Sequence, residues 1–158
     1  MTTTAVTGHS YAARITWTGN RGSGTESYFA YDREYVVEIE GKPTIAGSAN
    51  PAFRGRPERH DPEDLFVAAV ASCHMLSYLS LCAREGVRVT AYQDNARATL
   101  MLEAGGGGRF SAIVLRPVVT VADAQSVRRA QALTRLHTSG ASSLPRVAFP
   151  SGSRRRSG

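Results

Sequence analysis

The pattern of apolar and polar positions sets strand-like segments on either side of one long apolar helix. Tyr11, Ala13, Ile15 and Trp17 alternate with Ala12, Arg14 and Thr16, which is the period of a half-buried strand. Residues 27–31 and 35–40 read as further strands, with Gly41, Lys42 and Pro43 closing a turn, so an antiparallel meander is expected. Residues 48–60 carry two prolines and three arginines and read as an ordered loop. Residues 61–86 then show helix signals at both ends. Asp61 suits the N-cap, Pro62 the first helical position, and Asp64 the place of a capping-box acid. Gly86 follows the charged pair Arg84 and Glu85 as a C′ residue. Between residues 65 and 83 almost every position is apolar or small, and a helix without a broad polar face must be wrapped in protein.

Val87 and Val89 begin a strand that runs through Tyr92 and Ala98 towards Leu102, and the glycines at 105–108 mark a hairpin loop. Residues 109–121 form a second long strand, in which Pro117 implies an edge position or a bulge. Asp123 can cap a second helix through Val127, Ala130 and Leu133. The expected fold is α+β, with antiparallel strands packed around a long buried central helix in one domain over residues 1–133. From Thr134 the periodicity fades into Ser, Arg, Gly and Pro, as in a poorly ordered tail.

Charge and composition narrow the function. The chain has 158 residues and a net charge of +6. Residues 1–133 hold 14 Lys and Arg against 13 Asp and Glu, whereas residues 134–158 hold five arginines and no acid. The basic excess therefore belongs to the tail, and no nucleic-acid role is expected. No run of eighteen apolar residues is free of polar breaks, so no membrane span is expected. The first residues lack the layout of a signal peptide, and a cytoplasmic location follows. A glycine-rich stretch at 19–24 has no helix pattern after it, which rules out a phosphate loop. Cys73, His74 and Cys82 lack the spacing of a zinc finger, so neither metal nor cofactor is expected.

The candidate chemistry is a thiol. Cys73 sits in the middle of the long helix and is followed by His74, which lies about 100° further round the axis. Taken alone, a cysteine in an apolar helix is more often an inert core residue. Likewise Glu63 could simply favour the helix dipole, and Arg54 and Arg56 could be solvated loop charges. Cys82 lies nine residues beyond Cys73, roughly 13 Å along the axis and half a turn round, whereas a disulfide needs Cα atoms within about 7 Å.

The string Asp61-Pro62-Glu63-Asp64-Leu65, followed ten residues after the glutamate by Cys73-His74-Met75-Leu76, resembles the OsmC/Ohr family of thiol peroxidases. Supporting stretches are Gly24-Thr25, Asn50-Pro51-Ala52-Phe53-Arg54-Gly55, Gly108-Arg109-Phe110 and Leu115-Arg116-Pro117. The resemblance implies an enzyme that reduces organic hydroperoxides, with Cys73 as nucleophile, Glu63 as carboxylate and Arg54 as the arginine that supports the thiolate. Arg21 is the alternative arginine, and His74 a further candidate. It also implies a small dithiol or lipoyl-type reductant and an intertwined homodimer. Helix geometry points the same way. Ten residues separate Glu63 from Cys73 by roughly 15 Å on one axis, so both can serve one site only if the helix breaks or a second subunit contributes. A non-catalytic dimer that binds or senses an apolar ligand is the alternative.

The chain departs from the family in one respect. Members carry a second cysteine on the later helix, within a string like H-x-x-C-F-I-A, and no cysteine follows Cys82 here. The residues from His137 to Leu144 can be encoded as CAC ACG AGC GGT GCT TCA TCG CTC, which from the third base reads H-E-R-C-F-I-A. A single-base loss near codon 133 would make residues 134–158 an out-of-frame tail, leaving the sulfenic acid of Cys73 without an internal partner.

Overall fold

The computed structural model describes residues 8–105 and 107–138, with side chains to Thr134. Two compact units make up the chain, residues 1–63 and 64–158, and the division falls in the first turn of the long helix.

The first unit is an antiparallel meander of β1 (Arg14–Trp17), β2 (Tyr35–Glu38) and β3 (Ile45–Gly47), with Trp17 opposite Tyr35 and Val37 opposite Ile45. The expected strand over residues 27–31 does not form. Residues 19–32 instead close into a compact loop, pinned where the Asp32 amide donates to the Gly19 carbonyl at 2.8 Å. Arginine side chains, not a neighbouring strand, satisfy its carbonyls. Arg21 donates to the carbonyls of Phe29 and Ala30, and Arg33 to those of Tyr28 and Tyr31. The alternation in β1 also fails to bury one face: all four of its residues are exposed, Ile15 at 61%.

A loop leads from β3 to the helix and is held by two polar residues. Asn50 caps a short 3-10 turn, Pro51–Phe53, by accepting from the Ala52 amide, and its Nδ2 donates to the buried carboxylate of Asp61 at 2.8 Å. The fully buried Ser48 accepts from the Arg56 amide. Gly55 passes so close to Ala49 that any side chain there would overlap its carbonyl.

The second unit is built on α1 (Pro62–Arg84), a single unbroken helix. It starts with Pro62 and ends as the sequence signals direct. Gly86 takes φ of +71°, Val87 donates back to the Cys82 carbonyl at 2.9 Å, and Gly86 to that of Ala83. These two bonds are the Schellman closure that a left-handed glycine permits. The two long strands expected beyond it are each interrupted. β4 (Val89–Asp94) pairs with β7 (Pro117–Val121), and β5 (Arg97–Leu102) pairs with β6 (Gly108–Val114), all antiparallel. Both breaks occur at the same level. There the Asp94 carboxylate accepts the Arg116 amide at 2.7 Å in place of a ladder bond. Asp123 caps the next turn through the Ser126 amide, and α2 (Val127–Thr138) follows, five residues longer than the pattern predicts. Residues 139–158 lie outside the described residues, and with them most of the expected tail.

Tyr78 and Cys82 of α1, Val87, and Ala130 and Leu133 of α2 form the buried core of this unit, with Val89, Tyr92, Val119 and Val121 packed against it. The Tyr78 hydroxyl donates to the Ala130 carbonyl at 3.1 Å, which ties the two helices. Nearer the start of α1, Phe66 stacks on the buried Phe110 of β6 with centroids 4.8 Å apart.

Candidate functional site

The wrapping expected of α1 is supplied within the chain on one face only. His74, Tyr78 and Cys82, spaced four residues apart, turn towards the sheet and α2. The opposite stripe, Ala69, Ser72, Cys73, Leu76, Ser80 and Ala83, is exposed, with Leu76 at 63%. These positions follow the three- and four-residue spacing of a single helix face. By length and composition alone, α1 is also apolar enough to cross a membrane.

Cys73 stands at the centre of that open stripe as an exposed free thiol, and Cys82 is a buried free thiol on the opposite face. The two cannot meet across the helix.

His74 is the residue next to the thiol, but its ring is engaged elsewhere. Its Nδ1 lies 3.1 Å from the Tyr92 hydroxyl, which in turn donates to Asp94 at 3.5 Å. Burial, reinforced by the Asp94 charge, pushes the Tyr92 hydroxyl up to about 12, so it stays protonated. The Tyr78 hydroxyl is likewise raised by burial and by the Cys82 thiol beside it. The chain Asp94–Tyr92–His74 fastens α1 to β4 at the level of Cys73. Nothing in the sequence pattern pointed to Tyr92 or Asp94.

Glu63 is the second residue of α1. Since that helix is unbroken to Arg84, roughly 15 Å of axis separates Glu63 from Cys73 of the same chain, and the alternative of a helix break is excluded.

The two candidate arginines differ in how their guanidinium groups are engaged. Arg21 is held by the carbonyls of Phe29 and Ala30 and lies 3.8 Å from Asp32. Arg56, nearby in sequence, pairs with Glu34 at 2.8 Å, which holds the Glu34 carboxyl below its ordinary range. Arg54 makes no side-chain hydrogen bond or ion pair among the described residues; its guanidinium lies over the Phe29 ring, 4.6 Å from the centroid. Its backbone is also unusual. Arg54 has φ of 68°, and it is the one non-glycine residue with positive φ among those described. Among the described residues no group of three His, Cys, Asp or Glu side chains could hold a metal ion.

Comparison with known proteins agrees with this architecture. Residues 55–141 match the family of OsmC-like proteins. An OsmC-like protein of unknown function from Vibrio cholerae is similar in structure with a TM-score of 0.70 and 30% identity, over 84% of this chain and 89% of that one. An OsmC-like protein from Mycoplasma pneumoniae shares the fold at a TM-score of 0.60 and 9% identity, over 82% of this chain and 81% of that one. No protein of curated function matches the sequence. Through its unbroken apolar helix, its flanking antiparallel strands and its match over residues 55–141, the chain belongs to the OsmC-like family.

Proposed function

We propose that the protein is a thiol-dependent peroxidase of the OsmC/Ohr type that reduces organic hydroperoxides through Cys73, as a cytoplasmic homodimer. The observation that carries this reading is an exposed thiol at the middle of a bare apolar helix face. Cys82 is sealed inside its own chain, whereas Cys73 stands where a second subunit can complete a site around it. The thiolate attacks the distal peroxide oxygen. An S–O bond forms, the O–O bond breaks, the alkoxide leaves and takes up a proton as the alcohol, and Cys73 becomes a sulfenic acid. Arg54, whose donors are uncommitted among the described residues, polarises the peroxide. Glu63 fixes that arginine by a bidentate pair. Because Glu63 and Cys73 stand too far apart on one straight helix, the carboxylate serving each thiol is assigned to the partner subunit, and the open stripe of α1 is where the two subunits meet.

Regeneration is the impaired step. With Cys82 buried on the far face, the sulfenic acid must condense with an external thiol, releasing water, and a second thiol then frees Cys73. Peroxide consumption supported by dithiothreitol or dihydrolipoamide, and abolished by Cys73→Ser, tests the reading; no consumption with either reductant refutes it.

The absence of a second thiol within reach favours one other reading, a redox sensor or ligand-binding dimer that reacts once and does not turn over. Thiol alkylation at pH 6 to 7 separates the two: rapid labelling of Cys73 fits the enzyme, and a sluggish thiol fits the binding protein.

A further inference from the structure

Within the second unit, β7 and α2 face each other across a gap. Val119 and Val121 are alternate, half-buried positions of β7, whereas Val118 and Thr120 between them are exposed. Val127, Ala130 and Thr134 follow the three- and four-residue spacing of one face of α2. Between the two walls lies a cavity of about 210 Å³, and the buried Tyr78 of α1 joins its lining. Protein interiors hold few voids larger than a water molecule, and an apolar cavity of about 150 Å³ already takes benzene.

The polar groups of this cavity define what fits it. Tyr78 and Thr134 both donate their hydroxyl protons to the Ala130 carbonyl, at 3.1 and 3.2 Å. A hydroxyl has one proton to give and two lone pairs, so each oxygen remains an acceptor and neither is a donor. The Tyr78 hydroxyl already has the Cys82 thiol beside it, which leaves Thr134 Oγ1 as the acceptor the cavity offers. No charged side chain lines the cavity among the described residues, so an ionised ligand would lose its water without gaining a counter-charge.

We propose that this cavity is a binding site for a small neutral alcohol or phenol, with its apolar body on Val119, Val121 and Val127 and its hydroxyl donating to Thr134 Oγ1. Val127 is 41% exposed and Gln131, also in the lining, is exposed, which puts the entrance along this edge of α2. Tyr78 is buried on the sheet side of α1, whereas Cys73 lies on the open stripe. Occupancy therefore needs neither the thiol nor an oxidant, and the inference is independent of the peroxidase reading.

The test titrates the full-length reduced protein, with its valine methyl groups isotopically labelled for NMR, with 4-methylphenol, toluene and 4-methylbenzoate. These probes share one apolar body and differ in the group that meets Thr134. 4-Methylphenol is expected to shift the Val119 and Val121 methyl resonances with a Kd below about 1 mM. Toluene should bind about five- to tenfold more weakly, and 4-methylbenzoate should not bind at about 5 mM. Thr134→Val keeps the shape and removes the acceptor, so it should bring 4-methylphenol down to the affinity of toluene. Val121→Phe fills the cavity and should abolish binding of both. No valine shift with 4-methylphenol, undiminished affinity in Thr134→Val, or binding of 4-methylbenzoate as tight as that of 4-methylphenol overturns the proposal. Should Val121→Phe fail to fold by circular dichroism, the comparison of wild type with Thr134→Val decides.

Discussion

Leu76 offers the sharpest test of what covers the open face of α1. It lies one turn beyond Cys73 on the exposed stripe and is 63% exposed in the single chain. If the stripe faces solvent, Leu76→Glu exchanges one exposed side chain for another and should change stability by no more than about 0.5 kcal/mol. If a second copy covers it, two terms appear. The leucine loses about 1.5–3 kcal/mol of burial, and the new carboxylate must leave water at a penalty of several kcal/mol. In a two-fold interface each change occurs twice, so the dimer should weaken by at least about 6 kcal/mol, or roughly four orders of magnitude in dissociation constant. Sedimentation velocity on wild type and variant reads the mass directly, with circular dichroism to follow folding. The expected result is a wild-type dimer at micromolar concentration and a Leu76→Glu chain that is monomeric or unfolded; Leu76→Ala, the milder cut, should weaken the dimer while keeping the helix. A wild-type monomer at about 100 µM, or a folded dimeric Leu76→Glu protein, would refute the reasoning.

Three further outcomes are expected. Mixing Glu63→Gln with Cys73→Ser chains, each inactive alone, should restore about a quarter of wild-type peroxide consumption, because half the dimers are mixed and each of those has one intact site; no recovery would place both residues in one chain's site. Tyr92 is held protonated above its ordinary value of 10.0, up to about 12, so its contribution to stability is fully present below pH 10 and is lost as the pH rises towards 12. Thermal melting between those values should therefore fall less steeply for Tyr92→Phe than for the wild type, with Tyr78 sharing the remaining decline. Tyr78→Phe should cost about 1 kcal/mol or less by urea unfolding, because the Ala130 carbonyl it vacates still accepts the Thr134 hydroxyl at 3.2 Å, whereas Tyr78→Ala should cost about 3–5 kcal/mol through the cavity it leaves.

Much of this fold was legible because it is written in local signals. Asp61, Pro62 and Gly86 bound α1 to within two residues, Asp123 caps the turn before α2, and the Gly107 carbonyl accepts the Glu103 amide at the hairpin. What was not legible depends on partners distant in sequence. The 27–31 segment has a strand-like composition, but guanidinium groups from Arg21 and Arg33 reach its carbonyls first. The long strands on either side of the hairpin look continuous until Asp94 takes the Arg116 amide. The same division holds for the site. Cys73, Glu63 and Arg54 came from a resemblance, and the structure sets Arg54 over the Phe29 ring and Arg21 against loop carbonyls. Tyr92 and Asp94 carry no motif, and only the approach of β4 to α1 reveals them.

The loop over residues 19–32 should also resist digestion, although arginines at 21 and 33 mark it as a place for trypsin to cut. A protease must draw several residues of backbone into an extended form and take the arginine side chain into its own pocket. Here each guanidinium is already locked against carbonyls of the same loop, and the loop ends are joined by the Asp32–Gly19 bond. Limited trypsinolysis of the native protein should therefore leave both bonds whole until that arginine lacework lets go.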